Sequence, residues 1–554
     1  MPSPRRLIAG LATATVLALA LAGCSANASA PGSGSSSETG KPVTGGTLVY
    51  LEHQAITGLY PPGAGFYPNG GIVNNIADRL VYQDPKTLEF EPWIATKWES
   101  NADATEYTFT IRDGVTFSDG TPLDAAVVAK NFDLYGLGDA ARGLTVSEAI
   151  NNYQSSEVVD KNTVKFHFSA PSPGFLQATS TINSGLLSSK TLDLPFEKFG
   201  PGNAANIIGS GPFTVDNEKI GTGLDLVARK DYKWAPKSWS NQGRPYLDKI
   251  QITVTPEASV RVGALLSGQA GLIRDVEAQD EKQVTDAGFQ VYAAQTNGVN
   301  NGLSLRFRNE KLSDIRVRQA LIAGIDREEL VKTIYTKNYP LATSVLSKTA
   351  LGYVDTKDAF GYDPKKAATL LDEAGWKLGS NGIREKDGQP LTLVVNEAAP
   401  QPRSFDALTL VSQQLKKIGV DLQILKADAG TYAKAIQDAN QVQIYHSMVG
   451  RADLDVIKSQ FYSKNRNTLL NRDNADQSIG DQKLEELLEA VASTADPKAR
   501  IEASQTVQKY LADQAYVIPF FEEPQVFATA NFVHGFSSES VGRPSFDAVW
   551  VDKQ

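Results

Sequence analysis

The sequence is poor in the side chains that most often carry chemistry. Among 554 residues there is a single cysteine, Cys24, so no disulfide can close within the chain. The four histidines, His53, His167, His446 and His534, lie far apart, and none forms a local pair at metal-ligand spacing, so no metal site is expected. There is no Gly-x-Ser-x-Gly elbow, no phosphate-cradling glycine-lysine loop and no His-Glu-x-x-His helix. No catalytic residue and no cofactor can be named, although triads do assemble from distant positions. Gly209 and Gly211 do not make a dinucleotide fingerprint, because the third position is Thr214 and no helix is expected after it. Basic charge is not in excess either: the net charge is −9, which argues against a nucleic-acid partner. Beyond the first 22 residues no apolar run is long enough to cross a bilayer.

What is present begins with an export signal. Arg5 and Arg6 precede an apolar run from Leu7 to Ala22 that ends in Leu21-Ala22-Gly23-Cys24. A basic start, a short apolar core and small residues before a cut read as a signal peptide over residues 1–23. Residues 24–44 then form a Ser/Gly/Ala/Pro tract without apolar periodicity, a flexible tether. About twenty such residues span roughly 25 Å.

The remaining length exceeds one ordinary core, so two or three domains are expected. Gly45–Leu51 reads as a first strand. Tyr60–Gly71 (YPPGAGFYPNGG) is too rich in proline and glycine for helix or strand. Its aromatics Tyr60, Phe66 and Tyr67 are candidates for a cleft wall or for packing beneath a loop. A short helix is expected over Ile72–Val81. Tyr107, Phe109 and Ile111 alternate with polar residues, as do Val164, Phe166 and Phe168, and both runs predict strands. His167 falls on the polar face of its strand and is expected to face solvent. Gly209-Ser210-Gly211-Pro212 predicts a tight backbone crossing before a strand.

Asn309–Tyr335 predicts a helix–helix corner. Val317, Ala320, Leu321 and Ile325 share one face, with Arg316, Arg318 and Gln319 mostly on the other. Asp326 is placed to cap the second helix, with Glu329 completing a capping box. Asp363, Pro364 and Gly375 start and stop another helix. Alternating strands and helices from Leu391 to Ile424 predict an α/β lobe.

Several of these strings share a further property. "Asp-Ile-Arg-Val-Arg-Gln-Ala-Leu" followed by "Ile-Asp-Arg", beginning at Asp314, resembles the signature of extracytoplasmic solute-binding proteins of the peptide/nickel ABC-importer family. The opening Gly45-Gly46-Thr47-Leu48, the run from Ile111 to Pro122, Gly209–Phe213, Tyr362–Trp376 and Val517–Phe520 resemble the same family in the same order. Leu21–Cys24 resembles the bacterial lipobox, which implies lipidation of Cys24.

The resemblance implies an α/β fold of the periplasmic-binding-protein kind (type II, cluster C), with two main lobes and an extra domain hinged around a cleft. Its domain I would comprise residues 45–74, 209–292 and 524–554, domain II residues 75–208, and domain III residues 293–523. Hinge rotation is expected near Gly209 and Ala293. The implied function is capture of a small solute between domains I and III for an ABC permease and its ATPase, by a monomer held outside the cytoplasm through a lipid on Cys24. Arg274, Asn297, Asn300 and Asn301 are then candidate cleft residues, with Tyr445, His446, Ser447, Arg451 and Asp453.

Dipeptide and oligopeptide binders of the family carry an acid for the ligand's ammonium group where this chain has Gly450 or Arg451. That departure points away from a free amino-terminal peptide. Arg451 points instead to a carboxylate, sulfonate or phosphate on the ligand. The alternatives from other classes are a secreted hydrolase with a dispersed site, and a sensor or adhesion lipoprotein of the same fold.

Overall fold

The structure, a computed structural model, describes residues 40–398 and 401–552, apart from the Ala429 side chain. The signal peptide, Cys24 and most of the tether lie outside the described residues. Among the described residues no helix is long and apolar enough to cross a membrane.

Three sheets organise the chain. The largest has seven strands, in the order Gln290–Gln295, Pro524–Thr529, Leu272–Arg274, Thr47–Glu52, Lys249–Val254, Gly223–Ala228 and Phe213–Lys219. Thr47–Glu52 runs parallel to both of its neighbours, Leu272–Arg274 and Lys249–Val254. Strands Ala95–Ser100, Glu106–Ile111, Thr163–Phe168 and Tyr153–Asp160 form an antiparallel four-stranded sheet. The alternation of Tyr107, Phe109 and Ile111 puts each of them inside. There Phe109, Phe132, Phe166 and Phe175 meet mostly edge to face. His167 is on the outer face, between Glu106 and Glu157.

The third sheet has five strands, in the order Asp421–Leu425, Thr392–Asn396, Ile444–Gly450, Gly298–Leu305 and Val517–Phe521. All eight residues of Gly298–Leu305 are buried, so the asparagine-rich stretch is a central strand and not an open ligand loop.

The helical corner forms as Ile315–Gly324 and Arg327–Ile334. Its capping box is closed indirectly. Asp326 Oδ1 accepts from the Glu329 amide at 2.8 Å, but the Glu329 carboxylate does not return to the Asp326 amide. Gln414 bridges them, accepting from the Asp326 N–H at 3.1 Å and donating to Glu329 at 2.8 Å. Arg318 departs from its expected outward face. It is buried and donates to the carbonyls of Leu312, Ser313 and Gln514, serving chain ends that helices leave unpaired.

The segment read as too rich in proline and glycine is also partly helical. Tyr67–Ile76 is an α-helix with Pro68 in its first turn, where a missing N–H costs nothing. Gly70 is needed there because a Cβ would strike Arg543 and Ile182. The helix expected at Ile72–Val81 is therefore shifted toward the N-terminus, and Val81–Gln83 is a strand. At Gly209 and Gly211 the backbone passes directly over Ile76 and Ala77, leaving no room for a Cβ at either position.

Between the seven-stranded and five-stranded sheets the chain crosses twice, each time through two residues. Thr296-Asn297 links Gln290–Gln295 to Gly298–Leu305, and Glu522-Glu523 links Val517–Phe521 to Pro524–Thr529.

Candidate ligand-binding site

A recess of about 470 Å³, its open mouth included, lies beside these crossings. One wall comes from strand ends of the seven-stranded sheet, His53, Gln54, Arg274 and Asp275, and from Phe66 and Tyr67 at the start of the helix Tyr67–Ile76. The opposite wall carries Tyr339, Gln401, Pro402 and Met448, and Glu523–Val526 closes the end. Thr47–Glu52 and Leu272–Arg274 are parallel, so both deliver their carboxyl ends to this place, where open α/β sheets commonly bind ligands.

Glu52 and Arg274 end those two strands and pair with each other. Arg274 donates from Nη2 to Glu52 at 2.6 Å and from Nε at 2.8 Å, and from Nη1 to Gln525 at 2.8 Å. Glu52 also accepts from the Tyr50 hydroxyl at 2.7 Å and the His53 amide at 2.8 Å. Burial works against the charged Glu52 carboxylate, but Arg274 overcomes it and holds the group well below the usual range. Burial likewise opposes charge on Arg274, and Glu52 reverses that, leaving it firmly a cation.

The Tyr67 ring lies between two guanidiniums, 5.7 Å from that of Arg274 and 5.1 Å from that of Arg543. Burial pushes its hydroxyl up to about 12, and it donates to the Val541 carbonyl at 3.1 Å. Asp275 adopts a left-handed backbone, φ 60°, uncommon outside glycine. The Val526 carbonyl accepts from its N–H, and Arg261 donates to its carbonyl. His53 lies 3.7 Å from the Asp275 carboxylate.

At the closed end Glu523 is buried, and among the described residues it forms no ion pair. Asn301 donates to it at 2.9 Å, and Gln401, with its amide turned to satisfy both groups, donates to its two oxygens at 2.7 and 2.8 Å. Burial pushes its carboxyl up to about 8; Asp275 adds to the rise, while Asn301 and Arg274 oppose it. Asn301 is oriented in turn by His446 Nε2, which lies 2.9 Å from Asn301 Oδ1. Because that oxygen only accepts, Nε2 carries the proton, and Nδ1 accepts from Ser404 at 3.1 Å. Burial lowers His446 to about 4, so the ring is neutral.

The sequence-derived candidates divide. Phe66, Tyr67 and Arg274 line the recess. Tyr60 does not: its ring packs against Tyr135 and Phe199, and its hydroxyl donates to Thr145. Asn297 donates to the Ser540 carbonyl and Asn300 to that of Ser344, so both amide nitrogens serve the fold, and neither residue lines the recess. Asn301 and His446 stand one layer behind the wall. Along Ile444–Gly450, side chains alternate between faces. Met448 reaches the recess, while Ser447 bonds Gln460 and Tyr445 lies over Arg306.

Arg451 and Asp453 are corrected most sharply. Arg451 is buried and gives Asp453 two hydrogen bonds of 2.8 Å from Nε and Nη2, with Glu148 3.8 Å from Nη1, and neither Arg451 nor Asp453 lines the recess. Gly450 cannot take an acid either. A Cβ there would stand 2.5 Å from Val541 and 2.9 Å from both Thr296 and the Tyr67 hydroxyl. Sequence reasoning missed His53, Gln54, Asp275, Tyr339, Gln401 and Glu523. The adjacent acids Glu522 and Glu523, directly after a wholly apolar strand, are the one signal that could have marked them.

The sequence profile of the bacterial extracellular solute-binding proteins, family 5 (middle region), matches residues 89–467, more than half of the chain. The chain belongs to that family. The dipeptide-binding protein of Escherichia coli K12 is 24% identical over 536 residues, covering 91% of this chain and 95% of that one. Among solved structures, the oligopeptide-binding protein AppA of Bacillus subtilis, in complex with a nonapeptide, superposes with a TM-score of 0.76 at 21% identity, over 93% of this chain and all of that one. NikA of Brucella suis, in complex with Fe(III)-EDTA, gives 0.75 at 21% identity, over 91% and 100%. This family 5 chain therefore has the periplasmic-binding-protein fold, two main lobes and an extra domain around a cleft, and it is a substrate-binding protein of the ABC-importer kind.

Proposed function

We propose that this protein captures a small solute in the recess between the seven-stranded and five-stranded sheets and presents it, lobes closed, to a membrane permease. The observation that carries this reading is the recess itself, which lies beside the two-residue crossings between the seven-stranded and five-stranded sheets. A solute that touches both walls only when they are shut shifts the population toward the closed form. In this reading the first lobe comprises residues 45–74, 209–292 and 524–554, the extra domain 75–208, and the other main lobe 293–523. The rotation falls on Thr296-Asn297 and Glu522-Glu523. The crossing at Gly209 belongs to the contact with the extra domain and stays fixed, since its backbone is wedged on Ile76.

The chain works as a monomer outside the cytoplasm, anchored by lipid on Cys24, and returns its ligand unchanged. The Ser404–His446 pair offers no reactive couple, because Ser404 accepts from the Ala398 amide and both side chains are sealed from solvent. Peptides, bound by several relatives, are the first ligand class to test. Small-angle scattering on the mature chain, with and without a ligand recovered by native mass spectrometry, is expected to show a smaller radius of gyration when bound. An unchanged radius at saturation would refute closure. Tryptophan emission is the poorer probe, because no tryptophan lines the recess.

A further inference from the structure

The charges around the recess do not cancel. Among the residues lining it, Arg274 is the one Lys or Arg, and Glu52 holds it in a buried bidentate pair while Gln525 and Gln54 take further donors. Its charge is thus balanced by Glu52, and the Nε/Nη2 edge that would fork onto a ligand anion is taken. Asp275 has Arg261 at 3.3 Å, but Arg261 is fully buried, does not line the recess, and gives its Nη1 and Nη2 donors to the carbonyls of Thr255, Pro256 and Asp275. Arg274 acts on Glu523 only from a distance, and among the described residues Glu523 forms no ion pair. Its partners are two amides, and amides donate hydrogen bonds without neutralising charge.

Burying a carboxyl this way costs free energy unless something compensates it. The surroundings hold Glu523 in place firmly. Asn301 is fixed by His446, which is fixed by Ser404, so the oxygens point in a set direction. The rings of Tyr67 and Tyr339 stand in the same recess, and ring faces attract cations. Meanwhile the place on strand Ile444–Gly450 where an acid would serve is filled by the Tyr67 hydroxyl against Gly450.

Resting on the solute-capture reading above, we propose that the recess binds the cationic group of its solute, an ammonium or guanidinium, on the Glu523 carboxylate at the crossing, with Asp275 as second acceptor. Glu523 is the residue that determines specificity, and Asn301 and His446 position it. The groups facing it are Asp275, Arg274 and His53 from the first lobe and Tyr67, Tyr335 and Tyr339 around them. Glu523 holds a proton in the empty recess near neutral pH and gives it up to a cation, so binding releases protons.

Calorimetric titration of the mature chain tests this with one peptide in three charge forms: alanyl-alanine amide, its N-acetyl derivative, and N-acetyl-alanyl-alanine. Agmatine supplies a guanidinium. The cations are expected to bind at least about tenfold more tightly than the neutral and anionic forms, as a charge-assisted hydrogen bond provides. Glu523→Gln and, separately, Asp275→Asn should each remove that preference while circular dichroism stays unchanged. Proton release, read from titrations in buffers of different ionisation heat, should vanish in Glu523→Gln. The assignment is overturned if no cation binds at millimolar concentration, if the acetylated forms bind as well, or if neither substitution alters cation affinity. A neutral or anionic form that binds and compacts the protein in scattering would leave solute capture standing and remove only the charge assignment. Cation binding without compaction would do the reverse.

Discussion

At the scale of single residues, the recess is built from groups whose partners were chosen by folding, and this decides what each can do for a ligand. Arg274 looks like an anion receptor in sequence, yet its guanidinium is committed to Glu52. Removing one member of a buried ion pair leaves the other uncompensated. Arg274→Leu is therefore expected to destabilise the protein by about 3–5 kcal/mol. Urea unfolding should show most of that loss recovered in Arg274→Leu/Glu52→Gln, and no recovery would mean that packing, not charge, holds the two strand ends together. Arg451 tells the same story. Its sequence position suggests a ligand contact, and Asp453, two residues away, consumes it.

At the scale of elements, the helical corner shows how local signals combine with distant ones. Asp326 and Glu329 carry a capping box in sequence, but Gln414 completes it from a helix almost ninety positions away. Gln414→Ala is expected to cost about 1–2 kcal/mol, because a part-buried N–H and a carboxylate both lose the buried Gln414 as partner. Asp326→Ala should cost about 1 kcal/mol, as an ordinary cap does. Chemical denaturation of the two variants checks the order, and equal losses would show that Gln414 adds nothing to the cap. Elements with plain periodicity were legible without any structure. The alternating strands at Glu106–Ile111 and Thr163–Phe168 and the capped helix Pro364–Glu373 stand where the pattern put them. The helix Tyr67–Ile76 was hidden, because its glycines answer to Arg543 and Ile182, which no local window contains.

At the scale of the whole molecule, buried titratable groups make stability depend on pH in opposing ways. Burial raises Asp78 and Asp547 to about 7 and Glu523 to about 8. These groups keep protons in the folded state that the unfolded chain gives up near pH 4, so their contribution falls as pH rises from about 4 to 8. His446, lowered to about 4 by burial, acts the other way. The unfolded chain binds its proton below about pH 6.5 while the folded protein does not, so stability is lost as pH falls from 6.5 toward 4. Thermal unfolding across pH 4–9 should show Glu523→Gln declining less than the wild type between pH 5 and 8, and His446→Gln with a shallower acid limb. Parallel profiles would refute both assignments.

The sequence by itself determined the family resemblance and the periodic elements, because those depend on residues close together in the chain. Three of its candidate site residues, Phe66, Tyr67 and Arg274, fall in the recess. Only the tertiary structure decided which charged groups stay available, because availability depends on partners met in space, some two residues apart and others hundreds. Glu52 silences Arg274 across 222 positions, and Asn301 aims Glu523 across another 222. An ion pair closes through space, and its sequence separation leaves no periodic trace.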